Sequence, residues 1–162
     1  MLTKNIQDQL NKQVNEEFYS SYLYLAMAAY FEDCQLTGFA AWMKAQAKEE
    51  LTHAMKFYDH IFNRNGKTTL ATIEAPKASW ASPLAAIEDA YKHEQHISKL
   101  ISGLVELARA EKDYATEAFL QWFVTEQVEE EELVNKVVAK MKLLSDAPGG
   151  LFFMDREMSA RV

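Results

Sequence analysis

The sequence predicts an all-α fold: a four-helix bundle with one long crossover and a short fifth helix at its C-terminal end. Three observations carry this. Apolar residues recur at steps of three and four along four stretches, each long enough for about seven helical turns. The 162 residues are 49% hydrophobic yet include only five Gly and three Pro, which favours helix over strand and argues against disorder. One stretch of about 17 residues between the second and third helices loses the helical period altogether.

The first helix is expected over about 5 to 33, with Leu10, Val14, Ser21, Tyr24 and Ala28 on one stripe. The second runs from about 38 to 64 through Phe39, Met43, Phe57 and Ile61, and stops at Asn65-Gly66, a helix-ending pair. From Lys67 to Ser82 the chain carries Pro76 and three Thr without a helical period. Ser82-Pro83 then supplies an N-cap and a proline in the first turn. The third helix follows to about Glu111 through Leu84, Ile87, Tyr91, Ile97 and Ile101. Asp113 caps a fourth helix, which reaches about Ser145 through Leu120, Phe123, Val134 and Val137. Pro148-Gly149-Gly150 breaks the chain before a short amphipathic helix from Leu151 to about Ala160.

Loop lengths set the topology. Short links between the first and second helices, and between the third and fourth, make antiparallel hairpins. The long link, fully extended, reaches roughly 55 Å, enough to traverse a helix of roughly 40 Å. It lets the second and third helices run parallel. The whole chain, 1–162, reads as one domain with a substantial core.

A net charge of -7 and a pI near 5.1 make nucleic acid an unsuitable partner and are compatible with cations. Cys34 is the sole cysteine, so no internal disulfide or thiolate metal site exists, and a buried or half-buried apolar role is expected for it. No apolar run approaches the roughly 20 residues that cross a membrane. The opening MLTKNIQDQL lacks a signal-peptide core, and the cytoplasm is the expected location.

Within the apolar stripes stand Glu17, Glu50, His53, Glu94, Gln127 and Glu130. A carboxylate on a core face must be paired or bind a metal. One such residue would be noise, but at least one on each of four helices points to a centre inside the bundle. Glu50 and His53 form Glu-x-x-His, which puts both side chains on one face. Alone the motif is weak, and its bland reading is a surface pair. Partners on three other helices raise its weight. Carboxylate-bridged di-iron bundles take one Glu from each of two helices and Glu-x-x-His from each of the other two. Glu17 and Glu94 match the single acids, and Glu50 with His53 matches one motif. On the fourth helix Gln127 replaces the Glu, and Glu130 replaces the His. Oxygen ligands with one imidazole suit iron. The asymmetry gives two unequal positions, one held by Glu17, Glu50 and His53, the other by Glu50, Glu94 and Glu130 with Gln127 nearby.

Glu49, Glu126 and Glu129 add acid beside this set and are read either as a third metal position or as a solvated acidic face. That third position would be weak, being exposed and lacking a His ligand. Glu131 and Glu132 are assigned to the solvated face. Tyr24 lies on the Glu17 face and can hydrogen-bond a ligating carboxylate or donate an electron; its bland alternative is a satisfied core tyrosine. Trp122 is assigned to packing. His60, His93 and His96 are read as surface or half-buried side chains.

The stretches NEEFYSSYLYLAMAAYF, KEELTHAMKFY, YKHEQHI and FLQWFVTEQVEEE, with the C-terminal GLFFMDREMSA, resemble the non-haem ferritins of bacteria and archaea over essentially the full length. The resemblance implies a ferritin-like bundle, a hollow homo-oligomeric cage of twenty-four subunits, and a ferroxidase centre in each. It implies oxidation of Fe(II) by oxygen or hydrogen peroxide, storage of ferric mineral, and a third iron position at Glu49, Glu126 and Glu129. Departures separate this chain from relatives. Haem-binding bacterioferritins carry Met where Thr52 stands, with Glu and His at 127 and 130, so no haem is expected. Rubrerythrin-like proteins add a cysteine-rich module. The small twelve-subunit DNA-protecting relatives build their site between subunits. Two readings compete with iron storage: an oxidase devoted to iron or peroxide detoxification, and a metal-free helical protein whose buried acids pair with Lys or Arg.

Overall fold

The computed structural model describes residues 1–160 as five helices: α1 (Lys4–Asp33), α2 (Thr37–Asn63), α3 (Pro83–Ala110), α4 (Tyr114–Leu143) and α5 (Gly150–Ser159). No strand occurs among the described residues. Local chemistry fixes the starts. Thr3, Ser82 and Asp113 each accept a backbone N–H three residues on, at 3.3, 3.1 and 3.1 Å. The ends of α1, α2 and α3 close alike, with Gln35, Asn65 and Lys112 in the left-handed region at φ 60, 55 and 57°. In each case the next amide bonds five residues back, as Leu36 does to Phe31 at 2.9 Å.

The start of α2 has no cap of its own, since Leu36 offers no polar side chain. Asp155 of α5 supplies it, accepting the Phe39 N–H at 2.9 Å. A Cβ at Gly38 would lie 1.8 Å from the Asp155 carbonyl oxygen, so glycine is what lets α5 dock there.

The crossover follows α1. Asn11 bonds the Lys67 carbonyl and the Thr69 amide at 3.0 and 2.7 Å, Asn15 the Thr72 carbonyl at 3.3 Å, and Trp80 meets Tyr30 edge-on. It therefore runs from the N-terminal to the C-terminal end of α1. Thr3 and Asn5 then hydrogen-bond Glu111, beyond the far end of α3. Hence α2 and α3 are parallel, both antiparallel to α1.

The apolar core falls into two clusters. One is built from residues such as Met27, Phe31, Phe39, Met43, Val134 and Met154, the other from Leu10, Val14, Phe57, Ile101 and Phe123. Between them the helices bury a polar belt that includes Gln13, Glu17, Gln46, Glu50, His53, Glu94, Gln127 and Glu130. Two expectations are corrected. Cys34 is exposed, because it caps α1 beyond Phe31, the last buried residue of that helix. The fourth helix ends at Leu143, with Leu144 as its cap, rather than at Ser145. No helix among the described residues is long and apolar enough to cross a membrane.

Candidate metal centre

Glu17 on α1, Glu50 and His53 on α2, Glu94 on α3, and Gln127 and Glu130 on α4 are each at most 5% exposed. Oxygen or nitrogen atoms of Glu17, Glu50 and His53 lie within 4.8 Å of one another, and His53 Nδ1 is 3.2 Å from Glu50 Oε2. Gln13, one turn before Glu17, donates to its Oε1 at 2.8 Å. The other oxygen, Glu17 Oε2, is buried and meets no amide, amine or hydroxyl donor, while the Glu17 and Glu50 carboxyls are close enough to share a proton when one of them is protonated. Two buried carboxyls that can satisfy each other only through a shared proton, beside an imidazole, are an arrangement a cation completes in the proton's place.

Glu94 and Glu130 are held differently. Tyr24 donates its hydroxyl to Glu94 Oε1, and Gln127 donates to Glu94 Oε2 at 3.1 Å and to its carbonyl at 3.3 Å. Gln46 donates to Glu130 Oε2 at 2.9 Å. The Gln127 amide thus positions Glu94. Among the described residues, no lysine or arginine forms an ion pair with these four glutamates. The metal-free reading needs such pairs and does not find them.

The electrostatics follow from burial. Desolvation raises Glu17 well above the usual carboxylate range, and the charge of Glu50 adds to it. Glu50 rises through burial and then the charges of Glu94 and Glu130. Glu130 is pushed up to about 7 by burial and then by Glu94. Burial raises Glu94 too, while the donors Tyr24 and Gln127 hold it back. The Tyr24 phenol rises through burial and the neighbouring Glu94 charge. Carboxyls whose pKa values burial raises hold protons that a divalent cation can displace.

A second compact group lies outward of the first. Glu49, His53 and Glu126 offer ligand atoms within 4.8 Å of one another, with Glu49 exposed and Glu126 half-buried. This corrects the expectation that an outer position lacks histidine: His53 belongs to both groups. Glu129 is exposed and joins neither, and Glu94 and Glu130 complete no third compact group among the described residues. Trp122 packs edge-on against the His53 ring at 5.4 Å, and Lys56 Nζ stands 3.0 Å from the Trp122 ring centroid.

Sequence reasoning passed over Gln13, Gln46 and Lys56. Gln13 and Gln46 were findable, since each stands on the core stripe four residues before a buried glutamate. His93 is half-buried as expected. Its Nε2 is 2.7 Å from Ser20 Oγ, and burial followed by the nearby His96 lowers it to about 4.

The chain matches the model of the ferritin-like domain over residues 7–144. It is 43% identical to the bacterial non-heme ferritin of Bacteroides fragilis (strain 638R), across 99% of this chain and 100% of that one. Against the bacterial non-heme ferritin of Staphylococcus saprophyticus it is 40% identical, across 99% and 96%. Its backbone is similar to an engineered closed form of the Archaeoglobus fulgidus ferritin, with a TM-score of 0.98 and 46% identity over 100% of this chain and 99% of that one. The open-pore ferritin of the same archaeon gives the same TM-score and identity over 99% and 98%. A family match spanning most of the chain, and relatives this similar over their full lengths, place the protein in the ferritin family.

Proposed function

We propose that this protein is a ferroxidase and iron store. It takes up Fe(II), oxidises it at the buried centre, and keeps ferric mineral inside a cage of twenty-four copies. The observation that carries the reading is the buried Glu17 Oε2, which meets no amide, amine or hydroxyl donor beside Glu50 and His53, in a belt where, among the described residues, no lysine or arginine pairs with the acids. The ferritin family membership of the chain supports it.

Fe(II) is the substrate. Glu17, Glu50 and His53 hold one ion; Glu50, Glu94 and Glu130 hold the second. Carboxylates accommodate the hard Fe(III) product, and the imidazole suits Fe(II). Tyr24 and Gln127 orient Glu94, and Gln46 orients Glu130, while the Gln127 amide oxygen remains a weak neutral ligand for the second ion. Two Fe(II) become two Fe(III), and their two electrons, with two protons, convert hydrogen peroxide to two waters or oxygen to hydrogen peroxide. Glu49 and Glu126, with Glu129 at the rim, form the outer position through which iron passes to the cavity. No haem takes part. Exposed Leu143, Phe152 and Phe153, at 82, 73 and 63%, are apolar surface that assembly would cover.

The test is anaerobic loading with two Fe(II) per chain followed by oxygen. A fast ferric absorbance in the parent protein, lost in Glu17→Ala, is the expected result. Equal rates in both sink the assignment. Detoxification is the second reading, favoured only if peroxide is consumed while little mineral accumulates.

A further inference from the structure

The outer group contains an imidazole, so a missing histidine does not account for weak binding there. Its surroundings offer another cause. On α2, Glu49, His53 and Lys56 follow at steps of four and three, one strip of the helix. On antiparallel α4, Trp122 and Glu126 face this strip. The Lys56 ammonium lies 3.0 Å from the Trp122 ring centroid, and the Trp122 ring in turn packs on His53 at 5.4 Å. Burial lowers the pKa of the Lys56 ammonium, and the charges of Glu126 and then Glu49 oppose that shift.

We propose that Lys56, held over Trp122, is a built-in counter-cation of the Glu49–His53–Glu126 group, and that its charge sets how weakly this group binds a divalent ion. The inference rests on the outer position proposed above and adds what governs its affinity. While the group is empty, the ammonium offsets the repulsion of Glu49 and Glu126. When a divalent ion arrives, the same ammonium repels it. The ring anchors the ammonium beside the group without making it a ligand. A position that binds and releases iron needs such a limit, and half-buried Lys56 can shift toward water as the ion enters.

The experiment is calorimetric titration of Zn(II) into the metal-free assembled protein, for the parent, Lys56→Gln, Lys56→Arg and Glu126→Gln. The parent should show a tight class and a weaker one, and Glu126→Gln should lose the weaker. Lys56→Gln should tighten the weaker class on the order of tenfold, as removal of one positive charge near a divalent ion requires, and make it more sensitive to salt. Lys56→Arg should stay within about threefold of the parent, because it keeps the charge. If Lys56→Gln leaves the weaker class unchanged, or tightens both classes equally, this inference fails and the outer position stands. If the parent has no weaker class, or Glu126→Gln does not remove it, the outer position itself is wrong and the inference falls with it. A packing role alone for Lys56 would lower the melting temperature of Lys56→Gln without moving the zinc affinity, which again overturns the proposal.

Discussion

Two groups of ligand atoms share His53 and little else. Glu17 and Glu50 face it from inside the bundle, where both are at most 2% exposed. Glu49 and Glu126 face it from the side open to water. Inside, burial drives carboxyl pKa values up, Glu17 Oε2 meets no amide, amine or hydroxyl donor, and among the described residues no lysine or arginine pairs with these acids. Outside, water screens the acids, and Lys56 stands over the Trp122 ring that packs on His53. The same residue types thus make a site that demands an ion and a site that tolerates one. On the proposed reading, access to water and to a competing charge, rather than ligand type alone, separates the two groups.

The largest effect expected from this contrast is on oxidation. Glu50 is common to both proposed iron positions of the inner centre. Glu50→Ala should slow the first fast oxidation more than about 100-fold, beyond what loss of a merely supporting side chain produces. The fold should persist, since a buried carboxyl is removed from a belt already crowded with them. Stopped-flow absorbance after oxygen addition reads the rate and circular dichroism the fold. A parent-like rate would remove Glu50 from the centre.

Next comes stability with metal. An ion that binds only the folded chain stabilises it by about 2.7 kcal/mol at 100 times its dissociation constant. At about 2–4 °C per kcal/mol for a chain of this size, the melting temperature should rise by roughly 5–10 °C with anaerobic Fe(II) or with Zn(II). Glu17→Ala should lose most of that rise and Glu126→Gln little of it. Equal losses would erase the distinction between the groups.

The belt also predicts an unusual pH dependence for the metal-free protein. Glu130 lies near 7 when folded, against 4.5 when unfolded. A raised carboxyl binds its proton more tightly in the native state. Its stabilising contribution is therefore complete below about 4.5 and is lost as pH rises through 7. The difference corresponds to about 3 kcal/mol between the two protonation states. Glu17 and Glu50 shift in the same direction. The metal-free melting temperature should fall from pH 5 to pH 8, and Glu130→Gln should flatten that slope. Loading with Zn(II) should reverse it, because the ion replaces the protons. A melting temperature that climbs across this range would show that the belt is wetter than its burial indicates.

Most of this architecture was legible in the sequence, for a reason tied to helices. A period of 3.6 makes a buried Glu conspicuous, so Glu17, Glu50, His53 and Glu94 stood out against leucine-rich stripes. Ser82-Pro83 and Asn65-Gly66 marked a start and an end because their chemistry is local. What stayed hidden depends on contacts distant in sequence. Asp155 caps α2 from more than a hundred residues away, and no pattern near Leu36 announces it. The part His53 plays in the outer group depends on how α2 meets α4, which periodicity leaves open. The helical period marks Lys56 only as a residue near the helix surface, and its seat over Trp122 depends on how α4 packs on α2.

The smallest expected effect concerns Glu129, and it bears on how far the outer group extends. Sequence spacing put Glu129 beside Glu126, yet it is exposed and stands apart from the compact group around His53. If iron leaves the inner centre through Glu126, an acid one turn further along α4 can receive it without binding it firmly. Glu129→Ala should therefore spare the first oxidation of two irons per chain. It should alter by severalfold the recovery of that fast phase on later Fe(II) additions, with Glu126→Gln altering it more. Stopped-flow traces over repeated additions give both quantities from one sample. Loss of the first phase would move Glu129 into the inner centre, against its exposure. Unchanged recovery would confine the outer group to Glu49, His53 and Glu126 and leave Glu129 on the solvated face of α4.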